Sequence, residues 1–290
     1  MQIMHNVTYP FPVKHLSINE QIDIAYMDEG VGIKTILFIH GLANYAAAWK
    51  HQMASLSKQY RCIAIDLPGN GLSSKGDFPY SMFFYAESVK LFIEKMDLKN
   101  VILCGHSMGG QVAMIMALRY PQMIEKLVLI APAGIERFSG TDIMFMQAML
   151  NIGDFLYADE LHLESAIRDS FETQSAEMPL MISEMKKLMN NQPLRQWRNM
   201  TLQSIQGMLN EQVHAFITDI KQPVLVIFGT KDRLIPNKLW HPHLSVAALA
   251  TQAEGLFEHV DIALIDGGGH FVHVEFNREV NAKIATFIFN

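Results

Sequence analysis

Cysteine is scarce in this chain of 290 residues, which has two, Cys62 and Cys104. Two cysteines cannot build a disulfide framework, and these lack the paired spacing of a zinc site. Both fall in apolar runs, which assigns them to the core. Charge is also sparse, at 18% of residues, with 23 Lys+Arg against 29 Asp+Glu and a net charge of −6. There is no basic stripe or block of like charge, so nucleic acid is not an expected partner. A membrane-spanning run is missing too. The uncharged stretch 100–118 contains His106, Ser107, Gly109, Gly110 and Gln111, which suits a buried strand-turn-helix rather than a span. The first residues, MQIMHNVTYPFPVKH, show no cationic start followed by an apolar stretch. No secretory signal is read, and the expected location is cytoplasmic.

Apolar residues, by contrast, make up 50% of the chain, which is incompatible with disorder and sufficient for a sizeable core. The length fits two domains or one interrupted domain. In the first half, short β-rich runs at 22–27, 35–40, 62–66, 101–105 and 127–131 alternate with helical patterns at 46–58, 81–96 and 108–119. This alternation predicts an α/β fold with a mainly parallel sheet covered on both faces. From Gly134 to about Asp219 the strand signal disappears, and amphipathic helices are predicted at 141–157, 160–171, 178–189 and 193–209. Strand texture resumes at 223–228 and 260–265, and a helix over 275–289 closes the chain. The economical organisation is one α/β core, 1–133 and 220–290, interrupted by a helical insertion, 134–219.

The strongest local signal is Gly105-His106-Ser107-Met108-Gly109-Gly110, directly after the strand VILC and before the helix QVAMIMAL. A G-x-S-x-G string arises by chance in about one chain in ten of this length, so its context carries the weight. A serine at a tight strand-to-helix turn is held in a strained conformation, and the flanking glycines let neighbouring segments approach. The amide of Met108 then lies at a helix N-terminus, where unpaired N–H groups can stabilise an oxyanion. The blander alternative is that Ser107 caps a helix.

A serine at its ordinary pKa is a poor nucleophile and needs a base, itself oriented by an acid. In parallel sheets such groups lie at the carboxyl ends of strands. Asp232 follows the strand VLVIF, and His270 follows VDIALID and a run of three glycines. The order Ser107, Asp232, His270 is the Ser, acid, His order of one architecture.

On these residues the chain resembles the α/β-hydrolase fold superfamily, in its serine hydrolase branch with a helical cap. The resemblance spans five ordered stretches: His40-Gly41, DLPGNGLSS at 66–74, GHSMGG at 105–110, GTKDRLIP at 229–236 and GGGHFVHVE at 267–275. It implies a mostly parallel eight-stranded sheet flanked by helices, with 134–219 as an all-helical cap. It also implies Ser107 as nucleophile, His270 as general base and Asp232 as the acid, with the backbone N–H groups of Leu42 and Met108 forming an oxyanion hole. No cofactor and no metal are implied.

Other residues compete for these roles. His40 and His106 flank the site but hold positions typical of packing residues. His270 and His273 are spaced H-x-x-H, yet only Glu275 is a nearby carboxylate and the glycine run is a loop, which disfavours zinc. Asp66 is expected to organise the DLPGNG turn through side-chain to backbone hydrogen bonds. Cys62 and Cys104 fall on strands that the family separates by a third, so no disulfide is expected.

The implied activity is hydrolysis of carboxylic esters of small, largely apolar molecules. Nine of the 19 Met fall within 134–219, which suits an adaptable apolar lid or simply helix packing. The alternatives are carbon-carbon hydrolysis of a diketo acid and a ligand receptor built on the hydrolase fold. The former needs a cationic anchor, for which Arg137, Arg168, Arg195 and Arg198 are candidates. An exposed apolar cap would also serve as a homodimer surface.

Overall fold

The computed structural model describes residues 6–152, 160–173 and 175–290. Its strands are β1 (Val13–Ser17), β2 (Asp23–Glu29), β3 (Thr35–Ile39), β4 (Arg61–Ile65), β5 (Val101–His106), β6 (Ile124–Ile130), β7 (Val224–Gly229) and β8 (Val260–Ile265). They form one eight-stranded sheet in the order β1-β2-β4-β3-β5-β6-β7-β8. The β1–β2 and β2–β4 pairs are antiparallel and the remaining pairs parallel. Every residue of β3, β5 and β7 is buried, as expected of strands covered on both faces.

The period of two along these strands divides the core. Leu37, Ile39, Ile63, Ile65, Val101 and Leu103 enter one apolar cluster, while Ile36, Phe38, Cys62, Ala64, Ile102 and Cys104 enter another on the opposite face. The second cluster is covered by α1 (Lys50–Leu56) and by a C-terminal helix introduced below. The first is covered by α2 (Met82–Lys95) and α3 (Met108–Arg119). The Ser81 hydroxyl caps α2 by accepting from the amide of Phe84 at 3.1 Å. Cys62 on β4 and Cys104 on β5 are separated by β3 and are both free thiols.

Between β6 and β7 the chain forms α4 (Gly140–Ile152), α5 (Glu160–Ser170), α6 (Glu177–Asn190) and α7 (Leu194–Asn210). The predicted helix at 141–157 is observed as far as Ile152, and its remainder lies outside the described residues. After β7 come α8 (Val246–Leu256), α9 (Val272–Glu275) and α10 (Asn277–Phe289), the last being the helix that packs on the second cluster. The predicted terminal helix 275–289 is thus split between α9 and α10. Similarly, 46–58 is a 3₁₀ turn, Ala46–Trp49, followed by α1. No helix among the described residues is long and apolar enough to cross a membrane.

The methionines of the β6–β7 connection have divided roles. Met185, Met189 and Met200 are buried in the first cluster, and Met178, Met181 and Met208 pack against it. Met144 and Met149 on α4 are instead exposed. Most of this methionine therefore packs helices together, as the simpler expectation had it.

Candidate active site

Ser107 stands between β5 and α3, at the carboxyl edge of the sheet, with φ 53° and ψ −119°. A non-glycine residue at this positive φ is strained and persists only where its surroundings enforce it. The enforcement is visible in the hydrogen bonds. The Ser107 amide donates to the carbonyl of Ile130, and its carbonyl accepts from Gly110 and Ala133. Behind the turn, a Cβ on Gly109 would lie 2.3 Å from the carbonyl oxygen of Ile39 and 2.6 Å from that of His40. Only glycine allows α3 to start this close to the end of β3. The Ser107 hydroxyl makes no capping bond to α3, so helix capping does not account for it.

Across the edge, the loop after β7 carries Asp232 and the loop after β8 carries His270. The His270 ring lies with Nδ1 2.9 Å from Asp232 Oδ2, and the two side chains are 5% and 0% exposed. Asp232 Oδ1 accepts from the amides of Leu234 at 2.8 Å and Ile235 at 3.0 Å. Both carboxylate oxygens are engaged, so Asp232 has one orientation. Because an ionised carboxylate only accepts, the proton between the two belongs to Nδ1, which leaves the His270 Nε2 lone pair free to take a proton.

The neighbouring histidines are occupied otherwise. His40 Nε2 accepts from the amide of Leu67 at 3.0 Å, so its proton sits on Nδ1 and is donated to the carbonyl of Gly41 at 2.7 Å. Complete burial lowers its pKa to about 4. His106 lies with Nε2 3.0 Å from the carbonyl oxygen of His270, and burial holds its pKa well below the usual range. These are packing and positioning histidines. The loop they support presents Leu42, half-buried, after Gly41. A Cβ on Gly41 would lie 3.1 Å from that of Ser107, so this loop and the serine are in close contact. Met108 is the first residue of α3, where an N–H has no intrahelical acceptor. All five residues singled out in the sequence, Ser107, His270, Asp232, Leu42 and Met108, thus stand on loops or a helix start at one edge of the sheet.

A family model described as the alpha/beta hydrolase fold matches residues 34–276. The chain belongs to this family. The 2-(acetamidomethylene)succinate hydrolase of Mesorhizobium japonicum is 26% identical over 275 residues, covering 93% of this chain and 94% of that protein. Among solved structures, a probable hydrolytic enzyme from Pseudomonas aeruginosa is similar with a TM-score of 0.82 and 22% identity, covering 97% of this chain and 95% of that one. A 2-hydroxy-6-oxo-6-phenylhexa-2,4-dienoate hydrolase from a Rhodococcus strain has a TM-score of 0.78 at 16% identity, covering 98% of this chain and 100% of that one. These structural likenesses show the fold.

In this α/β hydrolase, further side chains around the edge have roles that their contacts define. His273 on α9 is fully buried, with its ring 4.4 Å from that of His106 and 4.8 Å from that of Trp49. Burial lowers its pKa to about 3. It packs between the His106 and Trp49 rings, and among the described residues no group of three His, Cys, Asp or Glu is arranged for a metal. Asp66 is fully buried and accepts from Tyr9 Oη and from the amides of Ala46 and Leu72, which fixes the turn as expected. Glu136, at the start of the β6–β7 connection, accepts from the amide of Asn237 and from His241 Nδ1, just beyond the Asp232 loop. Glu275 ties the His270 loop to the turn after α5 through four hydrogen bonds. Glu136 lies outside every quoted stretch, and Glu275 closes GGGHFVHVE without its spacing announcing this role; most of their partners come from segments that only folding brings near.

Proposed function

We propose that the protein is a serine hydrolase of carboxylic esters of small, largely apolar molecules. Ser107 Oγ attacks the ester carbonyl carbon while His270 Nε2 takes the hydroxyl proton. The oxyanion is held by the amides of Leu42 and Met108. Collapse expels the alcohol, which receives the proton from His270, and leaves an acyl-enzyme on Ser107. Water then attacks the acyl carbon with His270 again as base, releasing the acid and restoring the serine. Asp232 keeps the proton on Nδ1 and stabilises the imidazolium. The observation that carries the reading is the buried His270–Asp232 pair on the same sheet edge as a serine held at φ 53°.

The helical segment 134–219 acts as a cap in this reading. Apolar surroundings for the substrate are supported by Phe271, whose ring lies 5.2 Å from His106 and 5.1 Å from Phe171 of the connection. Carbon-carbon hydrolysis of a diketo acid is the second reading, and the arginines weigh against it. Arg137, Arg168 and Arg195 are exposed, and Arg168 is paired with Glu164 at 2.6 Å, while Arg198 is half-buried and already engaged. A fluorophosphonate probe labels the wild-type protein and spares Ser107→Ala. Labelling that survives the substitution removes Ser107 as nucleophile. Parallel assays on aryl esters and a vinylogous diketo acid separate the two hydrolytic readings. Tight retention of an ester without turnover points to a receptor.

A further inference from the structure

The most densely bonded carboxylate beside the site is Glu275, at the end of α9. Its Oε1 accepts from the amide of Glu172 at 2.9 Å, the amide of Thr173 at 2.7 Å and Thr173 Oγ1 at 2.8 Å. Its Oε2 accepts from the amide of Gly269 at 2.8 Å. The carbonyl of Ser170, the last residue of α5, completes the junction by accepting from the amides of His270 at 2.9 Å and Phe271 at 3.3 Å. The backbone is closely apposed here, for a Cβ on Gly269 would lie 2.8 Å from each of the Glu172 amide nitrogen, Glu275 Oε2 and the Ser170 carbonyl oxygen.

We propose that Glu275 is a positioning residue that locks the His270 loop to the α5–α6 turn and so holds the imidazole in register with Asp232 and Ser107. The proposal rests on the serine hydrolase reading above. The chain of cause is short. Glu275 fixes Gly269 directly, one residue before His270. Through Glu172 and Thr173 it also fixes the turn that carries the Ser170 carbonyl, which in turn holds the His270 amide. Charge-assisted bonds from N–H groups to a carboxylate are about twice as strong as neutral ones, so this junction resists displacement. It has a consequence for the β6–β7 connection: that connection cannot lift at the end of α5 without freeing the base, so any opening for substrate occurs along another edge.

The decisive variant is Glu275→Gln. A glutamine has one acceptor oxygen, and if it serves Glu172 and Thr173, its NH₂ meets the Gly269 N–H donor against donor. Turnover of an aryl acetate and of a longer-chain aryl ester is measured at a temperature where the variant is fully folded, together with its melting temperature. The expected result is a loss in kcat of about 10- to 100-fold on both esters with little change in KM, and an equally slowed fluorophosphonate labelling of Ser107. An unchanged kcat, or a rise in KM confined to the longer ester, overturns the proposal, since Glu275 then serves only the fold or the substrate-binding side. If Glu275→Gln fails to fold, Thr173→Val decides. It removes a single donor, and a drop in kcat of about two- to five-fold with an unchanged melting temperature supports the proposal, whereas wild-type kcat overturns it. Ser107→Ala separates the two levels: inactive, it leaves a failure at Glu275 confined to the positioning proposal; still active, it removes the serine hydrolase reading and the proposal with it.

Discussion

The substitution Asp232→Asn isolates the electronic role of this carboxylate from its structural one. In the native site Oδ1 accepts two backbone amides, from Leu234 and Ile235, and Oδ2 faces His270 Nδ1. An asparagine can be placed in two ways. With its carbonyl toward Leu234 and Ile235, both amides stay paired and the NH₂ group points at the imidazole. With its carbonyl toward His270, the NH₂ confronts two N–H donors, leaving buried donors unsatisfied at about 1–3 kcal/mol each. The first orientation wins by a margin that makes the second a minor species. Its NH₂ needs an acceptor, so Nδ1 gives up its proton and the ring takes the Nε2–H tautomer. That tautomer cannot accept the proton that the proposed mechanism takes from Ser107. The expected fall in kcat is about 10⁴-fold, or about 5 kcal/mol of barrier, with global stability nearly unchanged because the two amides keep their acceptor. Steady-state hydrolysis of an aryl ester, alongside chemical denaturation, checks both halves. A variant that keeps a tenth of the wild-type kcat would refute the tautomer argument, and a loss of stability by several kcal/mol would refute the placement of its amide.

Other consequences follow from the same contacts. Gly109→Ala places a Cβ 2.3 Å from the Ile39 carbonyl oxygen, a backbone atom that cannot swing aside, so a destabilisation of about 2–3 kcal/mol is expected by urea denaturation. Stability also responds to acid through the buried histidines. His40 and His273 have pKa values lowered to about 4 and about 3 by burial, from 6.5. They bind fewer protons folded than unfolded, so their contribution is full above pH 6.5 and is lost as pH falls toward those lowered values. Each adds a slope of about 1.4 kcal/mol per pH unit in that window, and His273→Leu should remove one such increment from denaturation curves taken between pH 6 and 4.5. An unchanged slope would mean that His273 protonates in the folded protein.

The parts of the fold legible in the sequence are those where a local pattern and the tertiary environment agree. The runs at β3, β5 and β7 are apolar throughout because both of their faces are covered, and they read as strands without any knowledge of the partners. β1 is different. Its residues VKHLS are largely exposed, and it is a strand because β2 offers it an edge. α8 is likewise not legible in the sequence. Its small, mixed residues VAALATQAEGL carry weak periodicity, and its place is set by Val246, Leu249, Ala250 and Ala253 meeting the sheet. In β6, Glu125 and Lys126 obscure the strand start, since their charges are answered by Lys34 and by the carbonyl of Phe287 from distant segments.

For the site, the sequence by itself determined the residues of the proposed chemistry and their order. Tight turns and strand ends leave compact signatures such as GHSMGG and GTKD, because strain and close approach tolerate few residue types. Only the tertiary structure decided which histidine faces a carboxylate. His40, His106, His270 and His273 are the same residue type within one region, and they differ by whether the partner of each ring nitrogen is a backbone amide, a carbonyl, a carboxylate or nothing. The same holds for Glu275, whose four donors come from segments about 100 and 6 residues away in sequence. Hydrogen bonds to backbone amides leave no trace in residue identity at the donor, so such a junction becomes visible only once the chain has folded around it.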